Sequence, residues 1–137
     1  QPLWMQRSQS HLRGERLEKR IRHWQGVIAS ACEQCGRATL PTLEKPLTYP
    51  EWLAGNHDGG LGLVLQPDSR TVLTDLAQPD GTITLLVGPE GGMNEEEKAH
   101  AVTAGFTGVR LGQRILRTET AALAALSGIQ TLWGDFR

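Results

Sequence analysis

Thr82-Ile83-Thr84-Leu85-Leu86-Val87-Gly88-Pro89-Glu90-Gly91-Gly92 is an apolar run that stops in a glycine-rich turn. Residues 82–87 are too few for a helix and end in turn residues, as buried parallel strands do. Asn94 then supplies an N-cap, with Glu97 three positions on and Glu95 and Glu96 in the first turn, and Gly105 marks the predicted helix end. The pattern repeats downstream. Residues 108–111 form a second apolar run leading into Gly112-Gln113-Arg114-Ile115-Leu116-Arg117, and a last helix is predicted from Thr118 to about Leu132. Residues 61–65 form a further run of the same kind. Alternating strands and helices imply an α/β fold with a parallel sheet flanked by helices.

Working back toward the start, residues 38–60 read as irregular, with Pro41, Pro46, Pro50 and a glycine-rich stretch at 55–60 around one short helix near 49–54. Residues 15–35 give the clearest helix. Leu17, Ile21, Trp24, Ile28 and Cys32 recur at helical spacing, and Gly36 provides the stop. Residues 1–6 look like the end of a buried strand. The chain opens on Gln1-Pro2 rather than on Met, so further residues are expected upstream.

The 137 residues suffice for one domain, with 39% apolar and 21% charged side chains, an ordinary globular balance. No apolar run approaches the roughly 20 residues of a membrane helix, and no signal peptide is evident, so a cytoplasmic protein is expected. Net charge is −1, but it is unevenly spread: residues 1–37 carry seven Lys/Arg against three Glu. That asymmetry points to a polyanion partner or to a solvated helix face. Cys32 and Cys35 cannot build a disulfide framework, which fits a reducing compartment. They close a helix, whereas thioredoxin-like pairs open one.

The chemistry is expected where the strands end, since ligands of open α/β sheets bind beyond the carboxyl ends of the strands. Glycine there lets backbone atoms approach a ligand. Glu90, Arg114, Arg117 and Glu119 cluster around both loops, which a plain turn does not require. The spacing is neither the dinucleotide G-x-G-x-x-G nor the phosphate loop G-x-x-x-x-G-K-[ST]. Apolar Leu111, Ile115 and Leu116 beside backbone polar atoms suit an adenosine-type ligand without a polyphosphate. His11, His23, His57 and His100 have no metal-ligand spacing, so no metal is expected.

Val87-Gly-Pro-Glu-Gly-Gly92 followed by Leu111-Gly-Gln-Arg-Ile-Leu-Arg-Thr-Glu-Thr-Ala-Ala-Leu123 closely resembles the bacterial 16S ribosomal RNA uridine-N3 methyltransferase family, of the knotted SPOUT superfamily. Gln6-Arg-Ser8 and Ala31-Cys-Glu-Gln-Cys-Gly-Arg37 look like family segments too, so the resemblance covers almost the whole chain. It implies that residues 1–137 are a SPOUT methyltransferase domain with a C-terminal deep trefoil knot. Such knots are rare. The N-terminal PUA-like RNA-binding barrel of the family, and the first strand and helix of its knotted domain, are expected to lie outside the chain. The resemblance further implies a homodimer acting on 16S rRNA of the small ribosomal subunit, with no membrane partner. Its cofactor is S-adenosyl-L-methionine, carried over onto Leu65, Gln66, Gly88, Pro89, Glu90, Gly91, Leu111, Gly112, Ile115, Leu116, Arg117 and Thr118. Gln66 stands where relatives commonly have His. Ala121, Ala122, Ala124, Ala125 and Gly128 form a small-residue face suited to close helix packing.

For transfer to uridine N3 the site must favour the deprotonated base. Arg7 and Arg117 are the candidate cations, and Glu90 and Glu119 the candidate bases. The structural alternatives are that Glu119 supports the helix N-terminus and that Glu90 braces its own loop. Arg7, Arg37 and Arg114 are candidate RNA contacts, because guanidinium both pairs and stacks. Competing readings are a SPOUT enzyme acting on tRNA or a ribose hydroxyl, a non-catalytic RNA-binding relative, and a thiol enzyme built on Cys32 and Cys35.

Overall fold

A computed structural model describes residues 1–9, 11–55 and 59–136. Ser10, residues 56–58 (with the His57 considered above) and Arg137 lie outside the described residues.

The central sheet has three parallel strands: β3 (Leu61–Leu65) in the middle, β4 (Ile83–Leu86) on one side and β5 (Thr107–Val109) on the other. Leu63 pairs with Leu85 across one boundary and with Thr107 across the other. Both faces of β3 are covered. Leu63 joins Leu73, Val109 and Ile129 on one side. Val64 joins Met5, Tyr49, Leu86, Met93, Ala101 and Phe106 on the other. This is why 61–65 reads as a continuous apolar run rather than an alternating one. Gly62 is required by packing: a Cβ there would sit 3.1 Å from the Phe106 ring.

The helices follow the local signals. α1 (Gly14–Cys35) ends where Gly36 turns left-handed, at φ 71, and the Arg37 N–H reaches back to the Cys32 carbonyl at 2.9 Å. Its stripe Leu17, Ile21, Trp24 and Ile28 is half-buried, and only Cys32 is fully buried. α2 (Tyr49–Leu53) and α3 (Glu95–Thr103) each begin in a capping box, from Thr48 with Glu51 and from Asn94 with Glu97. α4 (Thr118–Trp133) packs Ala125 and Ile129 inward, and a Cβ on Gly128 would lie 3.0 Å from Leu73. Of the small-residue face, Ala124 is exposed and Ala121 and Ala122 are half-buried.

Three details differ from the sequence reading. The N-terminal strand β1 is only Leu3–Trp4, half-buried, and it pairs in parallel with a two-residue β2 (Leu47–Thr48) inside the stretch read as irregular. β5 ends at Val109, because Arg110 leaves the sheet to bond the Thr71 carbonyl at 3.0 Å. A single 3-10 turn, Leu73–Asp75, bridges β3 toward β4 and seats α4.

Glu97 ties the N-terminal segment to this frame. It is 7% exposed, and its carboxylate accepts the Gln6 N–H at 3.0 Å and the Asn94 N–H at 2.9 Å. The Tyr49 hydroxyl donates to the Glu97 carbonyl at 2.8 Å. Burial, aided by the Glu97 charge, pushes the Tyr49 phenol up from 10.0 to about 12. The neutral phenol is therefore favoured by folding. That stabilisation is intact below pH 10 and fades as pH rises toward 12, because the unfolded chain ionises first. Urea midpoints measured from pH 9 to 12 should fall more steeply for the parent chain than for Tyr49→Phe. The variant itself should be about 1 kcal/mol less stable at neutral pH, from loss of the hydrogen bond. Parallel curves would contradict this account.

Candidate functional site

The carboxyl ends of β3, β4 and β5 meet at one cleft of about 580 Å³, within the range of small-molecule sites. Leu65 ends β3, with Gln66 and Pro67 after it; Val87, Gly88, Pro89 and Glu90 follow β4; Arg110, Leu111 and Gly112 follow β5. The connection from β4 to β5 must cross β3, so the chain reverses its direction of growth at this place, where open α/β sheets bind ligands. The segment between Gly112 and α4 closes the cleft with Arg114, Ile115, Leu116, Arg117, Thr118 and Glu119.

Local geometry explains the glycines. Gly88 lies under Met93, whose Cγ would be 2.9 Å from a Cβ there. Gly112 adopts φ 85, a conformation that side-chain-bearing residues rarely take. Gly91 is not among the lining residues. Its backbone meets Arg7 instead: a Cβ would be 2.9 Å from the Arg7 Cβ, and Arg7 Nη1 donates to the Gly91 carbonyl at 3.2 Å. Gly91, assigned to the cofactor from the sequence, thus has an arginine as its close neighbour.

Eleven of the twelve residues assigned to the cofactor line this cleft, Gly91 being the exception, and Arg114 and Glu119 line it with them. Arg117 is exposed and precedes the first turn of α4, with no side-chain capping bond. The first N–H groups of α4 are left for water or a ligand. Glu90 and Glu119 are exposed at the cleft. Arg7 sits outside the lining, on the glycine loop, and Arg37 lies beyond the C-terminal cap of α1.

Two charged lining residues, Lys98 and Arg110, escaped the sequence reading. Lys98 Nζ bonds Asp68 at 3.1 Å and Glu95 at 3.0 Å. These bonds, to Glu95 first and then Asp68, hold the lysine pKa above its usual value, and the Asp68 carboxyl is lowered in turn, chiefly by its bond from Lys98. Lys98 therefore stays charged and engaged at the wall. Its spacing from Glu95 reads in sequence as an ordinary helix-surface pair. Arg110 is the second. Its Nε–H is buried without a hydrogen-bond partner among the described residues, and a buried unpaired donor is costly. Its signal was a charged residue inside the apolar run 108–111.

Chemically the cleft offers apolar walls, backbone polar atoms freed by glycine, a donor lacking an acceptor, and carboxylates and guanidinium groups at the rim. That set fits an adenosine-type ligand bearing acceptor groups. A second cavity of about 790 Å³ lies between β1 and β4 and shares Val87, Gly88, Pro89, Glu90 and Thr118 with the first. Among the described residues no His, Cys, Asp and Glu group is arranged for a metal ion, and no helix is long and apolar enough to cross a membrane. Cys32 and Cys35 are both free, and Cys35 Sγ lies 3.7 Å from the Cys32 carbonyl at the end of α1.

Comparison with known proteins gives a consistent result. Residues 1–130 match a family model described as an RNA methyltransferase domain. Ribosomal RNA small subunit methyltransferase E of Buchnera aphidicola subsp. Acyrthosiphon pisum is 31% identical over 136 residues, covering 99% of this chain and 54% of that protein. The protein of the same name from Mycobacterium bovis is 36% identical over 124 residues, covering 87% of this chain and 47% of that protein. A crystal structure of a Ribosomal RNA small subunit methyltransferase E from Neisseria gonorrhoeae bound to S-adenosyl methionine superposes with a TM-score of 0.88 at 43% identity, over 100% of this chain and 56% of that one. A Legionella pneumophila protein in complex with the bound cofactor SAM gives 0.93 at 36% identity, over 98% and 55%. The chain spans about half the length of these relatives.

Proposed function

The chain belongs to the RNA methyltransferase domain family, and on that premise we propose that it is the methyl-transferring domain of a small-subunit ribosomal RNA methyltransferase acting on N3 of a uridine. The observation that carries the reading is the cleft at the strand ends, in which eleven of the twelve residues assigned to S-adenosylmethionine converge. Its composition supports this cofactor on physical grounds. Arg110 Nε–H needs an acceptor, the carbon-lined walls suit an adenosine, and the loops lack the glycine–lysine pattern that holds polyphosphates.

Bound there, S-adenosylmethionine would supply a sulfonium-activated methyl group for transfer to uracil N3. The chain's own residues have three tasks. Leu65, Leu111 and Leu116 and the backbone at Gly88 and Gly112 hold and orient the cofactor and exclude water. Arg117 stabilises negative charge on the uracil as its N3 proton leaves. Glu119 or Glu90 accepts that proton, both being exposed at the rim where an RNA base would enter. A paired target would have to be turned out of its stack to reach them. Arg7, Arg37 and Arg114 are the RNA contacts of this reading.

The reading extends to the trefoil knot and to the homodimer. Leu123 is 68% exposed and Leu126 50% on α4, and Ile115 is 82% exposed beside the cleft. Side chains this apolar and this open favour a covering partner, and a second copy of the chain meets that need in a cytoplasmic enzyme. Calorimetry tests the cofactor site. S-adenosylmethionine should bind one molecule per chain, and ATP at the same concentration should not displace it. Absence of binding, or displacement by ATP, would overturn the assignment.

A further inference from the structure

The charges on α1 are sorted by face. With 3.6 residues per turn, Arg16, Lys19, Arg20 and His23 fall on one side of the helix, and Arg13 precedes it as the N-cap residue. The half-buried stripe of Leu17, Ile21, Trp24 and Ile28 lies beside them. Glu15, Glu18 and Glu33 occupy the remaining side together with Arg22, which pairs with Glu18 at 3.9 Å. Arg13, Arg16, Lys19 and Arg20 are exposed, and among the described residues none of the four forms an ion pair. A helix stabilised through its own surface charges would mix the signs at three- and four-residue spacing. Among the described residues Arg22 is paired in this way, whereas Arg16, Lys19 and Arg20 share one face and Arg13 precedes it at the N-cap.

The position of α1 adds direction. Trp24 lines the second cavity together with Gly88, Pro89, Glu90 and Thr118. The helix therefore borders the same loops that form the candidate methyl-transfer cleft. Arg7, held on the Gly91 carbonyl, adds a further guanidinium at the glycine loop. We propose that Arg13, Arg16, Lys19 and Arg20 dock the phosphate backbone of the RNA whose base enters the cleft, an inference that rests on the methyltransferase reading. Guanidinium groups suit phosphate oxygens in geometry as well as charge. Contacts of this kind fix the register of an RNA without reading its sequence.

The test compares the chain with a variant carrying Arg13→Gln, Arg16→Gln, Lys19→Gln and Arg20→Gln. Glutamine keeps helix propensity close to that of Arg and Lys. The probe is deproteinised small-subunit ribosomal RNA, titrated across a range of KCl concentrations, with S-adenosylmethionine binding measured in parallel. A control carries Glu18→Gln and Glu33→Gln, outside the basic face. The four-site variant should lose at least tenfold in RNA affinity at 0.1 M salt. Its slope of log affinity against log salt should flatten by about 3, since each phosphate contact to a single strand contributes about 0.7. The control should not weaken. Unchanged affinity and slope in the variant, or no RNA affinity in the parent chain, overturns the docking face and leaves α1 as solvated surface or as a site for an acidic protein. Loss of RNA affinity in a chain that fails to bind S-adenosylmethionine upholds the face and overturns the methyltransferase reading instead.

Discussion

Arg117→Ala is expected to slow methyl transfer by about 10²- to 10³-fold, the usual cost of removing one preorganised group that stabilises charge in a transition state. Arg117 immediately precedes α4, lines the cleft and makes no capping bond with its side chain. In the proposed mechanism its guanidinium faces the uracil oxygens as the N3 proton departs. Because the residue is exposed, the variant should unfold within about 0.5 kcal/mol of the parent, as surface substitutions generally do. The effect should appear in kcat far more than in S-adenosylmethionine affinity, since a ground-state contact would move both. Turnover measured with labelled cofactor checks this. Near-normal kcat would remove Arg117 from the mechanism.

The largest stability effect is expected at Glu97. Glu97→Ala should lower stability by about 2–4 kcal/mol, because it leaves the Gln6 and Asn94 amides without the carboxylate that accepts them and opens space in a buried position. The consequence reaches the site. Gln6 precedes Arg7, which packs on Gly91, so loosening the Glu97 anchor frees the arginine from the glycine loop. Glu97→Gln keeps one acceptor oxygen and should lose about half as much. Urea unfolding midpoints of the two variants decide the matter, and equal losses would show that the carboxylate's hydrogen bonds rather than side-chain volume set the cost.

What could be read from the sequence was local. The capping box at Asn94, the stop at Gly36 and the apolar run of β3 each depend on neighbours within a few residues, and each appears where its residues predict it. The glycine loop and the 111–118 segment were legible as neighbours at the strand ends from their glycines and charges, and both border the cleft. β2 was not legible. Leu47 and Thr48 are exposed and carry no strand pattern, and they pair only because β1 lies beside them, more than forty residues earlier in the chain. The order β4-β3-β5 is likewise a property of the folded chain, set by which strand can be covered on both faces. Lys98 and Arg110 look in sequence like a surface pair and an interrupted strand. Only the packing of β3, α3 and β5 brings them to one wall.

The central claim is transfer of a methyl group to uridine N3 of small-subunit ribosomal RNA. The most direct test incubates the protein with methyl-labelled S-adenosylmethionine and unmodified small ribosomal subunits, digests the RNA to nucleosides and identifies the labelled product. The account predicts N3-methyluridine as the labelled nucleoside. Label on a ribose hydroxyl or on another base, or no label in RNA with the cofactor bound, would contradict it.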